Sequence, residues 1–107
     1  MQLDTLQSEV TSWARHNFPN ARSYQPLLGL GEELGELNHS HLKQEQRIRG
    51  DWSTHQEDKV DAIGDLIIYL AHYCVLCDID LDIAIEKTWT KVKRRDWQAN
   101  PVDGSQA

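Results

Sequence analysis

The chain has 107 residues, 17 acidic side chains against 11 Lys plus Arg, a formal net charge of -6 and a mean hydropathy of -0.62. That length fits one domain with a thin core, and the hydropathy suits a soluble chain that leans on a partner for further burial. The acid excess argues against nucleic-acid binding, which rests on phosphate neutralisation by Lys and Arg, and any anionic substrate would need a metal ion between itself and the carboxylates.

Apolar residues recur with a period near 3.6 and no stretch alternates over strand length, which predicts an all-α domain of four helices in a bundle-like arrangement. The domain is assigned to residues 1–99 and a flexible tail to 100–107. The first helix carries Leu3, Leu6, Val10, Trp13 and Ala14 on its stripe and ends around Pro19. A second starts near Pro26, a residue suited to a first helical turn, with Leu27, Leu30, Leu34, Leu37 and His41 as its inward stripe. Gly50 and Asp51 break the pattern, and a third helix begins after Ser53 or Thr54 with Val60, Ile63, Ile67, Leu70 and Cys74 on its main face. The fourth starts at Asp80 or Asp82 and closes in Lys91, Lys93, Arg94 and Arg95, charges suited to a helix C-terminus. Trp13 and Trp89 fit the stripes and are expected in the core.

No basic-then-apolar leader opens the sequence, and the longest apolar run, Leu66 to Cys77, is too short to span a bilayer and contains His72. A cytoplasmic chain without a membrane partner is therefore expected. Cys74 and Cys77 form a CxxC inside a helical pattern with no second pair, which reads as two small buried residues rather than a zinc or redox site. His72 reads as a satisfied core residue.

The chemistry-bearing pattern is acidic. Glu33 and Glu36 are three apart on the second helix, at the edge of its leucine stripe, with Glu32 further toward solvent. Asp61 and Asp65 are four apart on the third helix, on the side opposite its main apolar face. Four carboxylates held together without a cation would repel and take up protons, so converging pairs point to a divalent ion. Oxygen-only ligands favour Mg²⁺ or Mn²⁺ over zinc. Gly29, Gly31, Gly35 and Gly64 sit beside the acids at a cost to helix stability, which suggests close helix approach or room for a ligand. The competing reading is a solvated acidic face.

GEELGEL (Gly31 to Leu37) followed by DAIGDLIIYL (Asp61 to Leu70) resembles the MazG-like nucleoside triphosphate pyrophosphohydrolases, whose signature is EExxE on one helix and ExxD on the next. The resemblance covers roughly Leu27 to Trp97. It implies an all-α fold completed as a homodimer or homotetramer, Mg²⁺ held by the acids, and cleavage of a nucleoside triphosphate into a monophosphate and pyrophosphate, a nucleotide-pool cleaning role. By position it implies Glu33, Glu36 and Asp65 as metal ligands and Glu32 as the base for water. Ala62 stands where the family has Glu, and Asp61, one residue earlier, takes the remaining ligand position, with Asp58 in reserve. Lys43, Lys91, Arg94 and Arg95 are assigned to phosphates, and Tyr69 to stacking on the base, with Trp52 or Trp97 as further candidates.

Three rivals stand beside this reading. A carboxylate-bridged di-iron bundle needs two Glu-x-x-His pairs, and Glu36 with His39 supplies only one. A helical interaction module, an inactive relative of the same fold, would use the acids only to cap and solubilise helices. A nucleic-acid binder built on KVKRR and Trp97 conflicts with the net charge.

Overall fold

The computed structural model describes residues 1–105 and consists, over those residues, of α1 (Leu3–Asn17), α2 (Tyr24–Gln46), α3 (Trp52–Leu76) and α4 (Leu81–Val92), with no strand. Asp51 caps α3 by accepting from the Thr54 N–H at 2.8 Å, and Asp80 caps α4 by accepting from Ile83 N–H at 3.1 Å. Such caps satisfy amides that the first turn leaves without partners. The capped start puts α3 two or three residues earlier than the stripe pattern suggested.

α2 and α3 form a long antiparallel hairpin. α2 ends on Arg47, held in the left-handed region at φ 58°, and the Arg47 and Ile48 N–H groups donate back to the carbonyls of Gln44 and Lys43. The turn then passes through Gly50 at φ 138°, a conformation that only glycine adopts freely. His55, on the first turns of α3, lies against Gly50, and its Nε2 donates to the Ile48 carbonyl at 2.9 Å. Gln44 donates to Gln56 and to the Trp52 carbonyl, and accepts from Lys59. A polar network therefore pins the closed end of the hairpin.

At the other end, α1 packs across the C-terminal half of α3. Val10, Ala71, Cys74 and Leu81 form the core, with Leu3, Leu6 and Leu70 against it. Gln7 of α1 clamps the α3–α4 turn, donating to the Ile79 carbonyl at 2.7 Å and accepting from Leu81 N–H at 2.8 Å. α4 leaves α3 at 107° and packs mainly against α1. Four helices are present as expected, arranged as a hairpin with two helices laid over one end. Among the described residues, no single helix is long and apolar enough to cross a membrane.

Val10, Ala14 and Cys74 are buried as their stripes predicted, but most inward positions of α2 and α3 differ from the expected ones. Along α2 the buried line is Pro26, Glu33 and Ser40, while Leu27 and Leu34 remain about half exposed. Along α3 it is His55, Ala62, Ala71, His72 and Cys74, while Val60 and Ile63, placed on the main face, are 60% and 52% exposed. Small residues let the two backbones approach, which turns the large apolar side chains to the flanks. Trp13 and Trp89 are likewise exposed rather than core. The radius of gyration is 17.4 Å, against about 13 Å for a domain of ordinary compactness at this length. From Asn100, within the segment expected as a tail, the chain folds back: Asp96 N–H donates to the Gly104 carbonyl and Gly104 is buried under Trp97. Residues 106 and 107 of that tail lie outside the described residues.

Candidate functional site

Glu33 lies on the buried line of α2 rather than at its edge. It is 8% exposed, and its Oε2 is buried with no hydrogen-bond partner among the described residues. Glu32 and Glu36 flank it in the surface, and the three residues each offer a carboxylate oxygen within 4.8 Å of the others. Burial pushes the Glu33 carboxyl above the usual carboxylate range. The hydrogen-bonding contact with Glu36 and the charges of Glu36, Asp65 and Glu32 push it the same way.

Asp65 faces this trio from α3: its charge acts on Glu33, and the two residues share the wall of one cavity. Asp61 is exposed and is neither in the trio nor among the charges that act on Glu33. The reason is rotational, since one residue along a helix turns the side chain by about 100°. The position directed at α2 is Ala62, buried at 2% exposure, where a methyl group replaces the carboxylate of the family pattern.

The cavity has a volume of about 830 Å³ and lies where α1 crosses the hairpin. Glu33 and Asp65 line one end. Its wall continues along α3 through Ile68, Tyr69 and His72, spaced so that all face one side. α2 contributes Gln25 and Pro26, and α1 with the following loop contributes Trp13 and Phe18. Phe18 meets Trp13 edge-on, with centroids 5.6 Å apart, and lies roughly parallel to the His72 ring at 6.4 Å. Gly29 explains the closeness of the wall: a Cβ there would fall within 2.7 Å of three ring carbons of Tyr69. Gly31, Gly35 and Gly64 border open space, so close approach accounts for Gly29 alone among the four.

The basic residues assigned to phosphates lie elsewhere. Lys43 is half-buried, and its Nζ donates to Gln46 at 3.0 Å, toward the turn and away from the acids. Lys91, Arg94 and Arg95 are exposed at the end of α4 and beyond it, and none lines the cavity. Trp52 and Trp97 are also remote from the cavity wall, whereas Tyr69 belongs to it. Trp13, Phe18 and His72 are the wall residues that stripe reasoning did not assign to a site. The clustering of Trp13, His16 and Phe18 just before Pro19 was the available signal. Cys74 is in the core, where burial pushes its thiol up, and Cys77 ends α3.

Chemically, the arrangement joins an oxygen-rich anionic end to an aromatic interior within one concavity of ordinary ligand-binding size. No protein-family model, curated protein or solved structure matches the chain.

Proposed function

We propose that this chain hydrolyses nucleoside triphosphates, standard or modified, to the monophosphate and pyrophosphate in a divalent-metal-dependent reaction that cleans the nucleotide pool. The observation that carries the reading is the buried, unpartnered Glu33 oxygen beside Glu32, Glu36 and Asp65 at one end of an aromatic-lined cavity. A buried carboxylate without a donor is costly unless something positive meets it. The available donors are all oxygens, which suits Mg²⁺ or Mn²⁺.

Glu33, Glu36 and Asp65 would hold the ion, and Asp61 is not needed for the set. When bound, the cation would neutralise phosphate charge and polarise a phosphoryl oxygen. The chain's own residues do the remainder. Glu32, an exposed member of the trio next to Glu33, accepts a proton from the attacking water. Tyr69, packed on Gly29, fixes the wall between the acids and the interior. The aromatic wall takes the nucleoside. The exposed flanks of the hairpin, Val60 and Ile63 with Leu27 and Leu34, pair with a second copy in a homodimer or homotetramer.

A second reading is an inactive interaction module of the same shape, and Ala62 favours it, because the helix position facing α2 lacks a carboxylate. Incubation with a panel of nucleoside triphosphates and Mg²⁺, with separation of products, divides the two. Pyrophosphate and the matching monophosphate are expected. A panel yielding neither, together with a melting temperature indifferent to Mg²⁺, supports the inactive module.

A further inference from the structure

His72 has no role in the metal-binding chemistry, yet it is one of the most secluded polar side chains in the protein at 8% exposure. His41 and His55 both have protein hydrogen-bond partners, Glu45 and the Ile48 carbonyl. His72 has none among the described residues, and burial alone lowers its pKa, which favours the neutral ring. A neutral imidazole carries one N–H donor and one ring-nitrogen acceptor. Buried polar groups ordinarily find a partner, and here the space in front of the ring is the cavity itself.

Its placement is specific. Asp65 and His72 are seven residues apart on the same side of α3, about 10 Å along the helix axis. The acids are at one end of that line and His72 is at the other, beside Phe18. Phe18 lies roughly parallel to the imidazole, with a 27° angle between planes and ring centroids 6.4 Å apart. The charged and titratable groups sharing this cavity are Glu9 from α1, Glu33 from α2, and Asp65 and Tyr69 from α3.

We propose that His72 is the specificity-determining residue of the cavity: its imidazole, secluded in the cavity wall near Phe18, hydrogen-bonds the edge of a nucleobase whose phosphates lie at the acidic end. The inference rests on the hydrolase reading for the orientation of the nucleotide, and it adds the group that distinguishes one base from another. A stacked aromatic wall accepts any base because every base has a π-face, so discrimination must come from a polar edge contact. Among residues at the end remote from the acids, His72 has the seclusion and the free hydrogen-bonding capacity for that contact.

The test uses the full chain with His72→Phe, which keeps an aromatic ring against Phe18 and removes both nitrogens, and His72→Gln, which restores a donor and an acceptor. Two measurements are made on each: kcat/KM for pyrophosphate release across the common nucleoside triphosphates, and equilibrium binding of the corresponding monophosphates without metal. Wild-type is expected to prefer one base by tenfold or more, His72→Phe to compress the spread to about threefold, and His72→Gln to recover part of it. Pyrophosphate release by His72→Phe with the wild-type order and spread of bases overturns the role of His72 and leaves the hydrolase reading standing. No pyrophosphate from wild-type, but base-dependent monophosphate binding that His72→Phe abolishes, removes the hydrolase reading and supports His72. Absence of both activity and base-dependent binding overturns both. If His72→Phe fails to fold, the Gln variant decides: a base preference shifted in order from wild-type supports the role, and an unchanged preference with unchanged spread overturns it.

Discussion

The two ends of the α2–α3 hairpin bury polar side chains in opposite ways. Near the turn, His55 donates to the Ile48 carbonyl, Gln44 bridges Gln56 and Lys59, and Asp51 caps the helix start. Where α1 crosses, Glu33 keeps an oxygen without a partner and His72 faces a cavity. Both ends belong to the same two helices, so helix propensity cannot distinguish them. The difference teaches that one end spends its polar groups on folding, while the other withholds them from protein partners, as a binding site requires.

That contrast can be broken most severely at Glu33 and Glu36. Either Glu→Gln change is expected to lower pyrophosphate release by about 100-fold or more, since several kcal/mol of charge stabilisation depends on the ion. The same Glu33→Gln change should raise the melting temperature of the metal-free protein, because it removes a buried negative charge that lacks a donor. Full activity in Glu36→Gln contradicts its place in the site.

At the turn end the expected signs reverse. His55→Ala leaves the Ile48 carbonyl without its donor and opens space under Gly50, costing about 2 kcal/mol in urea denaturation. Turnover of the folded fraction should be unchanged. A loss of activity as large as that of Glu33→Gln would mean that the two ends are not separable.

The pH dependence of stability sharpens the comparison through two carboxylates. Glu33 has a folded pKa raised by burial, then by Glu36, Asp65 and Glu32, so the folded state binds the extra proton. Metal-free stability from this group is therefore full below the ordinary carboxylate value and is lost as pH rises through the raised one. Asp51 has a folded pKa lowered by the Thr54 N–H and hydroxyl, so its contribution is present above the ordinary value and is lost as pH falls through the lowered one. Metal-free melting curves between acid and neutral pH should lose the first dependence in Glu33→Gln and the second in Asp51→Ala. The latter change also costs a few degrees by removing the cap.

Much of this architecture was legible in the residues. The Asp80 cap, the four helices and the grouping of Glu32, Glu33 and Glu36 follow from local spacing alone, whereas α3 is capped at Asp51, ahead of the expected Ser53 or Thr54. The inward faces followed in part: Val10, Ala14 and Cys74 are buried as their stripes predict, whereas Leu27, Leu34, Val60 and Ile63 are exposed and Pro26, Ser40, Ala62 and Ala71 are buried instead. Small residues win where backbones approach, and they leave the larger apolar groups to the flanks. Asp61 and Asp65 are both exposed, and the buried position next to Asp61 is Ala62. The aromatic wall joins α1, a loop and α3, and no spacing within one helix encodes such a meeting. Lys43 was placed on the correct helix, but the length of its side chain let Gln46 take it toward the turn.

The smallest expected effect concerns the glycines. Gly35→Ala meets open space and should stabilise the chain by about 0.5–1 kcal/mol, read from the urea midpoint. Gly29→Ala should instead displace Tyr69 and weaken activity, because the added methyl occupies the ring's position.

The central claim is that the unpartnered Glu33 oxygen marks a cation site. Calorimetric titration of Mg²⁺ into wild-type and Glu33→Gln protein tests it most directly. Saturable binding by wild-type that Glu33→Gln loses is the predicted result. Equal binding by the two proteins, or none by wild-type, would contradict it.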